Sequence, residues 1–321
     1  MPADSAPVNS DALPRYSDLP RMEDVAANHA WGVFGTDDEL GTLNHIDAAA
    51  VRCATSLVRT GERVGLSLPL DQPDPPLFRR EPFQHTMRNV GSMWDDRLDS
   101  FFPQGSTQWD GFRHHRVRQH GFYGGVVDDP SAGNDRLSIH HWARAGILGR
   151  GVLLDVAAYL APAGYDPLTE RSITADDLKA TAEAQGVEIR SGDILCVRTG
   201  WLEAYRTLSY SDRAAISAQR SGLESTGLAA DEATAELLWN WRISAVSVDN
   251  PAVEVTPGDP ATGSLHRRLL ALLGIPLGEL FDFEQVTSRL RARQNWEFLF
   301  VSVPLSLVGG LGSPANAVAV L

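Results

Sequence analysis

The sequence predicts an α/β fold, and three observations carry that expectation. Short apolar runs rich in β-branched residues alternate with helix-length segments through the second half, the order that builds α/β domains. The helical segments carry recognisable start and stop residues. No internal repeat, low-complexity stretch or obvious linker interrupts the chain. Its 321 residues are therefore expected to form an extended arm over 1–22 and a single domain over 23–321, the arm packing on a neighbouring subunit.

The elements follow in order. Residues 31–46, WGVFGTDDELGTLNHI, are dense in Gly, Asp, Thr and Asn and read as a structured loop. Asp47 is a plausible N-cap for the helix that opens AAAVRCATSLV. Residues 64–70 alternate in part and close around Pro69, which suggests a strand. Residues 71–100 hold many Pro, Asp and Arg and form a long excursion; loops of this length in a compact domain are usually functional. Residues 151–156, GVLLDV, make a buried strand. Thr174 and Asp177 begin a helix that Gly186 stops. Strands follow at 193–199, 243–248 and 298–305, with helices at 231–241 and 265–273. Gly309, Gly310 and Gly312 read as a backbone bend, because no helix follows to make a phosphate cradle.

Composition narrows the function. Lys+Arg is 28 and Asp+Glu is 41, so 28 − 41 gives a net charge of −13. Such a surface repels phosphate backbones and anionic membranes, so neither nucleic acid nor membrane is expected as a partner. Lys179 is the only lysine and lies in a polar helical stretch, so a Schiff-base mechanism would depend on it alone. Cys53 and Cys196 are far apart in apolar contexts and read as buried free thiols in a reducing cytoplasm. The first 24 residues lack the basic start and apolar stretch of a secretory signal, and the most apolar segment, 298–311, is too short for a bilayer span. The expected location is cytoplasmic. There is no GxSxG elbow, no GxxxxGK[ST] loop, no GxGxxG after a strand and no HExxH.

Chemistry concentrates in residues 104–120, QGSTQWDGFRHHRVRQH. Gln104, Gln108, Asp110 and His114 converge if this segment is a strand that leads into a tight turn, with His115 and Arg116 turned to solvent and Trp109 to the core. Taken alone, the pattern is equally that of an ordinary polar segment.

The segment resembles the signature HxGTHxDxPxH of the cyclase family, which includes bacterial kynurenine formamidase and isatin hydrolase. The likeness extends to WGVFGTDDELGTLN at 31–44, GDILCVRTGW at 192–201, DNPAVE at 249–254, LHRRLLALLGIPLGELFD at 265–282 and PLSLVGGLGSPANAVAV at 304–320. Several motifs in one order are more specific than any one of them. The resemblance implies the swivelling β/β/α fold, a homo-oligomer and a small-molecule substrate. It matches Asp110 to a metal-bridging aspartate, His114 to the general acid/base, and His266 and Glu279 to distant metal ligands. Gln104 and Gln108 stand where the family has histidines, and the string Gln-Trp-Asp resembles that of larger members.

The implied activity is metal-dependent hydrolysis of a small cyclic or aromatic amide, imide or lactone. A donor set rich in oxygen favours Mn²⁺ as the single divalent ion, with Zn²⁺ the alternative. Trp31, Trp94 and His120 are candidate substrate contacts. Phe101 and Phe102 are candidate lid residues; Asp249 and Glu254 are candidate orienting groups, with a plain turn as the alternative. Two other classes stay open: a metal-free binding protein derived from such a hydrolase, and a lyase or cyclase of secondary metabolism.

Overall fold

The structure, a computed structural model, describes residues 13–219 and 223–321. Strands are numbered in chain order. β1 (Arg21–Met22) and β2 (Ala27–Asn28) pair near the N-terminus, followed by β3 (Arg63–Gly65), the hairpin β4 (Gln84–Val90) and β5 (Met93–Asp99), and β6 (Gln108–Asp110). Then come β7 (Ile147–Leu154), β8 (Ser172–Ile173), β9 (Ile194–Val197), β10 (Gly227–Leu228), β11 (Ala245–Val248), β12 (Leu277–Glu279), β13 (Glu297–Ser302), β14 (Gly312–Pro314) and β15 (Val318–Val320).

Nine strands form the main sheet in the order β14-β6-β12-β11-β9-β7-β13-β15-β3. The centre, β12-β11-β9-β7, is parallel, and antiparallel strands flank it on both sides. The sheet curls back on itself. Trp109 on β6 donates its indole N–H to Ser302 Oγ on β13 at 2.9 Å, although the two strands are far apart in the order. Every residue of β9 and β11 is buried, as expected for parallel strands covered on both faces.

Helix ends follow the expected chemistry. Asp47 caps α1 (Ala48–Thr55) through Ala50 N at 2.7 Å. Thr174 and Asp177 form a reciprocal capping box at the start of α4 (Ala175–Gln185), with α2 (His140–Ala145) and α3 (Val156–Leu160) preceding it. Gly186 stops α4 in the left-handed conformation, which a Cβ would disfavour. α5 (Trp201–Thr207) and α6 (Tyr210–Ser217) follow, then α7 (Glu232–Asn240), capped by Asp231, and α8 (Glu284–Arg293). The segment Arg267–Leu273 is a π-helix. No helix among the described residues is long and apolar enough to cross a membrane.

Several expectations need correction. Of the expected strand over 64–70 only residues 64 and 65 pair in the sheet, as the end of β3. The excursion over 71–100 contains the β4–β5 hairpin, whose signal is weak because most of it is exposed and neither strand shows a buried alternation. Gly312, expected in the glycine-rich bend, instead opens β14 and pairs with β6. Cys196 is buried, but Cys53 is exposed on α1. Of the expected arm, residues 1–12 lie outside the described residues. Residues 13–22 dock on their own chain: Tyr16 is buried, and Pro14 O accepts from Trp239 Nε1 at 3.0 Å and Arg242 Nη1 at 2.8 Å.

Candidate active site

β6 is three residues long, and its register builds the site. Gln108 and Asp110 project to one face, and Trp109 projects to the other. β12 places Glu279 directly opposite Gln108, and β14 places Gly312 opposite Asp110. Trp109 packs edge-on against Phe281 and Phe300, with ring centroids 5.2 and 6.1 Å away. Its neighbour Gly278 must lack a side chain, because a Cβ there would approach the indole to 2.8 Å. The small hydroxyl residue before the strand anchors it. Thr107 Oγ1 donates to Leu280 O at 2.5 Å and accepts from Leu68 N at 2.8 Å.

Glu279 Oε2 accepts from Gln108 Nε2 at 2.5 Å, and Glu279 Oε1 lies 3.1 Å from His266 Nε2. The same imidazole nitrogen is 3.6 Å from Asp110 Oδ2. On its other side, His266 Nδ1 is 2.7 Å from Glu254 Oε2, which also accepts from the His266 backbone N–H at 2.9 Å. A carboxylate only accepts, so Nδ1 carries a proton and Nε2 is the atom aimed at Asp110 and Glu279. Ser264 Oγ in turn holds Glu254 Oε1 at 2.8 Å.

After Asp110 the chain turns, and His114 Nε2 comes within 3.8 Å of Asp110 Oδ1. His114 and His115 both approach His266, at ring-centroid distances of 6.2 and 6.0 Å. The expectation that His115 faces solvent is therefore corrected. Residues 112–115 form a turn, where the strict alternation of an extended strand does not apply.

Electrostatics separates the carboxylates. Burial opposes charge on Asp110, yet His114, His266 and Arg80 outweigh it and hold the carboxyl below the usual aspartate value. Burial and the charge of Asp110 push Glu279 up. For Glu254, burial is overcome by His266, and the net shift is downward. Burial alone would lower His266, but Glu254, Asp110 and Glu279 raise it well above an ordinary histidine. His114 is lowered by burial, with Asp110 pulling the other way, and burial depresses His115 to about 4.

The residues fit a divalent cation. Both Asp110 oxygens, Glu279 Oε1 and Gln108 Oε1 are buried without a hydrogen-bond partner. One ligand atom from each of Asp110, His114 and His266 lies within 4.8 Å of the others. Carboxylate oxygens beside imidazole nitrogens are a donor set for Mn²⁺ or Zn²⁺. Glu254 on the far nitrogen of His266 is the usual means of orienting a metal-ligating histidine.

The structure thus brings Gln108, Asp110, His114, His266 and Glu279 together. Gln104 sits at their edge, its amide nitrogen over Gly312, 2.6 Å from where a Cβ would be. The three candidate substrate contacts have partners or exposure of their own. Trp31 donates to Ala271 O at 2.8 Å and stacks beside Gly125. Trp94 is 67% exposed on the β4–β5 hairpin. His120 pairs with Asp24 at 2.7 Å. Asp249 accepts from Thr199 and Gly200, shaping the turn after β9. Sequence reasoning missed Arg80, whose position depends on the long excursion and leaves no local pattern.

A family model described as "Putative cyclase" matches residues 64–255, more than half of the chain. The chain belongs to the cyclase family. A crystal structure titled as a novel cyclase is similar to this cyclase chain with a TM-score of 0.80 and 29% identity, covering 91% of this chain and 99% of that one. Isatin hydrolase A from Labrenzia aggregata, bound to benzyl benzoate, shares the fold with a TM-score of 0.59 and 17% identity, over 83% of this chain and 94% of that one. An isatin hydrolase bound to the product analogue thioisatinate has a TM-score of 0.57 and 17% identity, over 86% and 99%. No curated protein sequence matches. The α/β class and the cyclase-family fold expected from the sequence both hold.

Proposed function

We propose that this cyclase-family chain is a metal-dependent hydrolase of a small cyclic or aromatic amide, imide or lactone. The observation that carries the reading is the set of buried oxygens without hydrogen bonds on Asp110, Glu279 and Gln108, those of Asp110 and Glu279 lying 3.6 and 3.1 Å from His266 Nε2. The isatin hydrolases that share the fold support the same reaction class.

Asp110, His266 and Glu279 would hold one divalent ion, with the Gln108 amide oxygen, and Gln104 at the edge, completing the set. When bound there, the ion supplies Lewis acidity and a water acidified toward a pKa of ~7. His114, about one-third exposed and lowered by burial, is neutral at pH 7. Its Nε2 takes a proton from the attacking water and returns it to the leaving nitrogen or oxygen. Glu254 holds the His266 ring in place. Neutral amide oxygens and carboxylates favour Mn²⁺ over Zn²⁺.

The test is reconstitution. Chelator-treated protein is reloaded with Mn²⁺ or Zn²⁺ and offered lactones, cyclic imides and N-formyl aryl amines. The expected result is a product heavier by one water, with Mn²⁺ restoring more activity than Zn²⁺. Full activity in protein shown by elemental analysis to be metal-free overturns the proposal.

A cytoplasmic homo-oligomer belongs to the same reading. A two-stranded sheet is marginal alone, yet the β4–β5 hairpin exposes Met87, Met93, Trp94 and Leu98. A single monomer peak in light scattering at micromolar concentration counts against self-association.

A further inference from the structure

A cleft of about 130 Å³ opens where the β1–β2 turn, the short turn Arg118–His120 and the start of the π-helix meet. Ala26, Arg118, Thr262, Ser264, Arg267 and Arg268 are among its walls. Three of its lining residues are arginines, and among the described residues none that lines it is acidic, in a chain whose net charge is −13. No member of the acidic centre lines it, so it is a separate place in the molecule.

The three guanidiniums are incompletely answered. Arg268 Nε donates to Ala230 O at 3.0 Å and Nη2 to Thr262 O at 3.1 Å, while Nη1 is buried with no acceptor. Arg267 Nε is likewise buried with no acceptor. Arg118 Nη1 reaches only a neutral group, the Asp24 carbonyl, at 3.3 Å. Among the described residues none of the three forms an ion pair, and the carboxylates on adjoining segments are engaged elsewhere. Asp24 pairs with His120 and Gln119, Glu254 with His266 and Ser264, and Glu232 with Arg21. Asp259 accepts from Ala261 N at 2.8 Å. Burial lowers the pKa of Arg267, and the like charges of Arg118 and Arg268 lower it further.

A buried N–H without an acceptor costs free energy that a ligand oxygen recovers. Three like charges around one cleft repel one another until an anion joins them. Guanidinium groups match oxyanions through paired N–H donors, and three of them offer more donors than the two oxygens of a carboxylate accept. A phosphate group brings at least three oxygens and a charge near −2 at neutral pH. We propose that this cleft binds the phosphate group of a small molecule, as free phosphate or a phosphomonoester, through Arg118, Arg267 and Arg268. The proposal does not depend on the hydrolase reading. The two sites share one segment, because Ser264 borders the cleft and its Oγ holds Glu254 at 2.8 Å.

The experiment is calorimetric titration of the full chain with inorganic phosphate, methyl phosphate and acetate at low ionic strength, where screening is weak. Each titration is repeated in chelator, so that a metal cannot hold the anion. Phosphate is expected to bind equally with and without chelator, and more tightly than acetate. Arg118→Gln and Arg267→Met should each weaken phosphate binding roughly 10-fold or more. Thermal unfolding verifies that each variant is folded, and if one is not, the other decides. Methyl phosphate binding as tightly as phosphate assigns the site to an esterified ligand, and weaker binding assigns it to the free anion; both support the shared chemistry. The proposal is overturned if wild type binds no phosphate, if chelator abolishes the binding, if acetate binds as tightly, or if a folded variant binds phosphate as wild type does.

Discussion

Two buried acidic centres in this molecule are built in opposite ways. Around Arg198, every charge is answered. Arg198 donates to Asp155 Oδ1 at 3.0 Å, to Glu284 at 2.8 and 2.9 Å, and to Glu203. Asp155 Oδ2 accepts from Arg291 at 2.6 Å, and Ala158 N caps onto Oδ1. Around Asp110, both carboxylate oxygens are left without a hydrogen bond, and the groups nearest them are imidazoles. Burying unanswered carboxylate oxygens costs several kcal/mol. A fold that saturates one carboxylate and starves another is holding itself together with the first and keeping the second for a ligand.

Mutation should expose that difference. Asp110→Ala removes a charge that the fold does not need. Mn²⁺ affinity and turnover should fall by well over the 10–100-fold typical of losing an orienting partner. Thermal stability in chelator should change little, because the carboxylate makes no hydrogen bond and only the neighbouring cationic groups favour its charge. A large drop in melting temperature would show that Asp110 is structural after all. Arg198→Met should do the reverse. It takes the guanidinium from Glu284 and leaves Asp155 with Arg291 as its one cation, and should destabilise the protein by roughly 3–5 kcal/mol in urea unfolding. The surviving folded fraction should bind Mn²⁺ normally.

Glu254 tests the boundary between the two kinds. It is fully satisfied, by Ser264 and His266, yet it acts on the site. Glu254→Gln can keep contact with the His266 backbone but loses the charge that fixes its ring. Mn²⁺ affinity should drop about 10–100-fold with little change in stability. Unchanged affinity would reassign Glu254 to the turn alone.

How much of this was legible in the sequence follows the range of each interaction. The Thr174–Asp177 box, the Asp47 cap and the Gly186 stop are local, and all appear as expected. The strands over 193–199 and 243–248 are short apolar runs and form the parallel centre. Asp110, His266 and Glu279 came from ordered motifs, since nothing in their spacing places residues 110 and 266 together. What lacks a local signal is harder to read. The β4–β5 hairpin that holds Trp94 is almost wholly exposed and shows no alternation. His115 was read through strand alternation and sits in a turn. Arg80 is placed by the path of the excursion, which no pattern encodes.

A buried titratable group with no opposite charge beside it completes the comparison and gives the smallest effect. His45 is buried at the end of the loop before α1, with its ring edge-on to Phe34 at 5.4 Å. Burial, aided by the charge of Arg242, lowers its pKa from 6.5 to about 4. The unfolded chain therefore takes up a proton first as pH falls. The stability that comes from keeping this ring neutral is complete above pH 6.5 and is lost as pH falls from there toward 4. Urea unfolding at pH 7.5 and pH 5 should show wild type losing roughly 1–2 kcal/mol more than His45→Gln across that interval. His115, depressed by burial in the same way, remains in both proteins and cancels. Equal losses in the two proteins would mean that His45 is protonated in the folded state, answered by a carboxylate like those around Arg198.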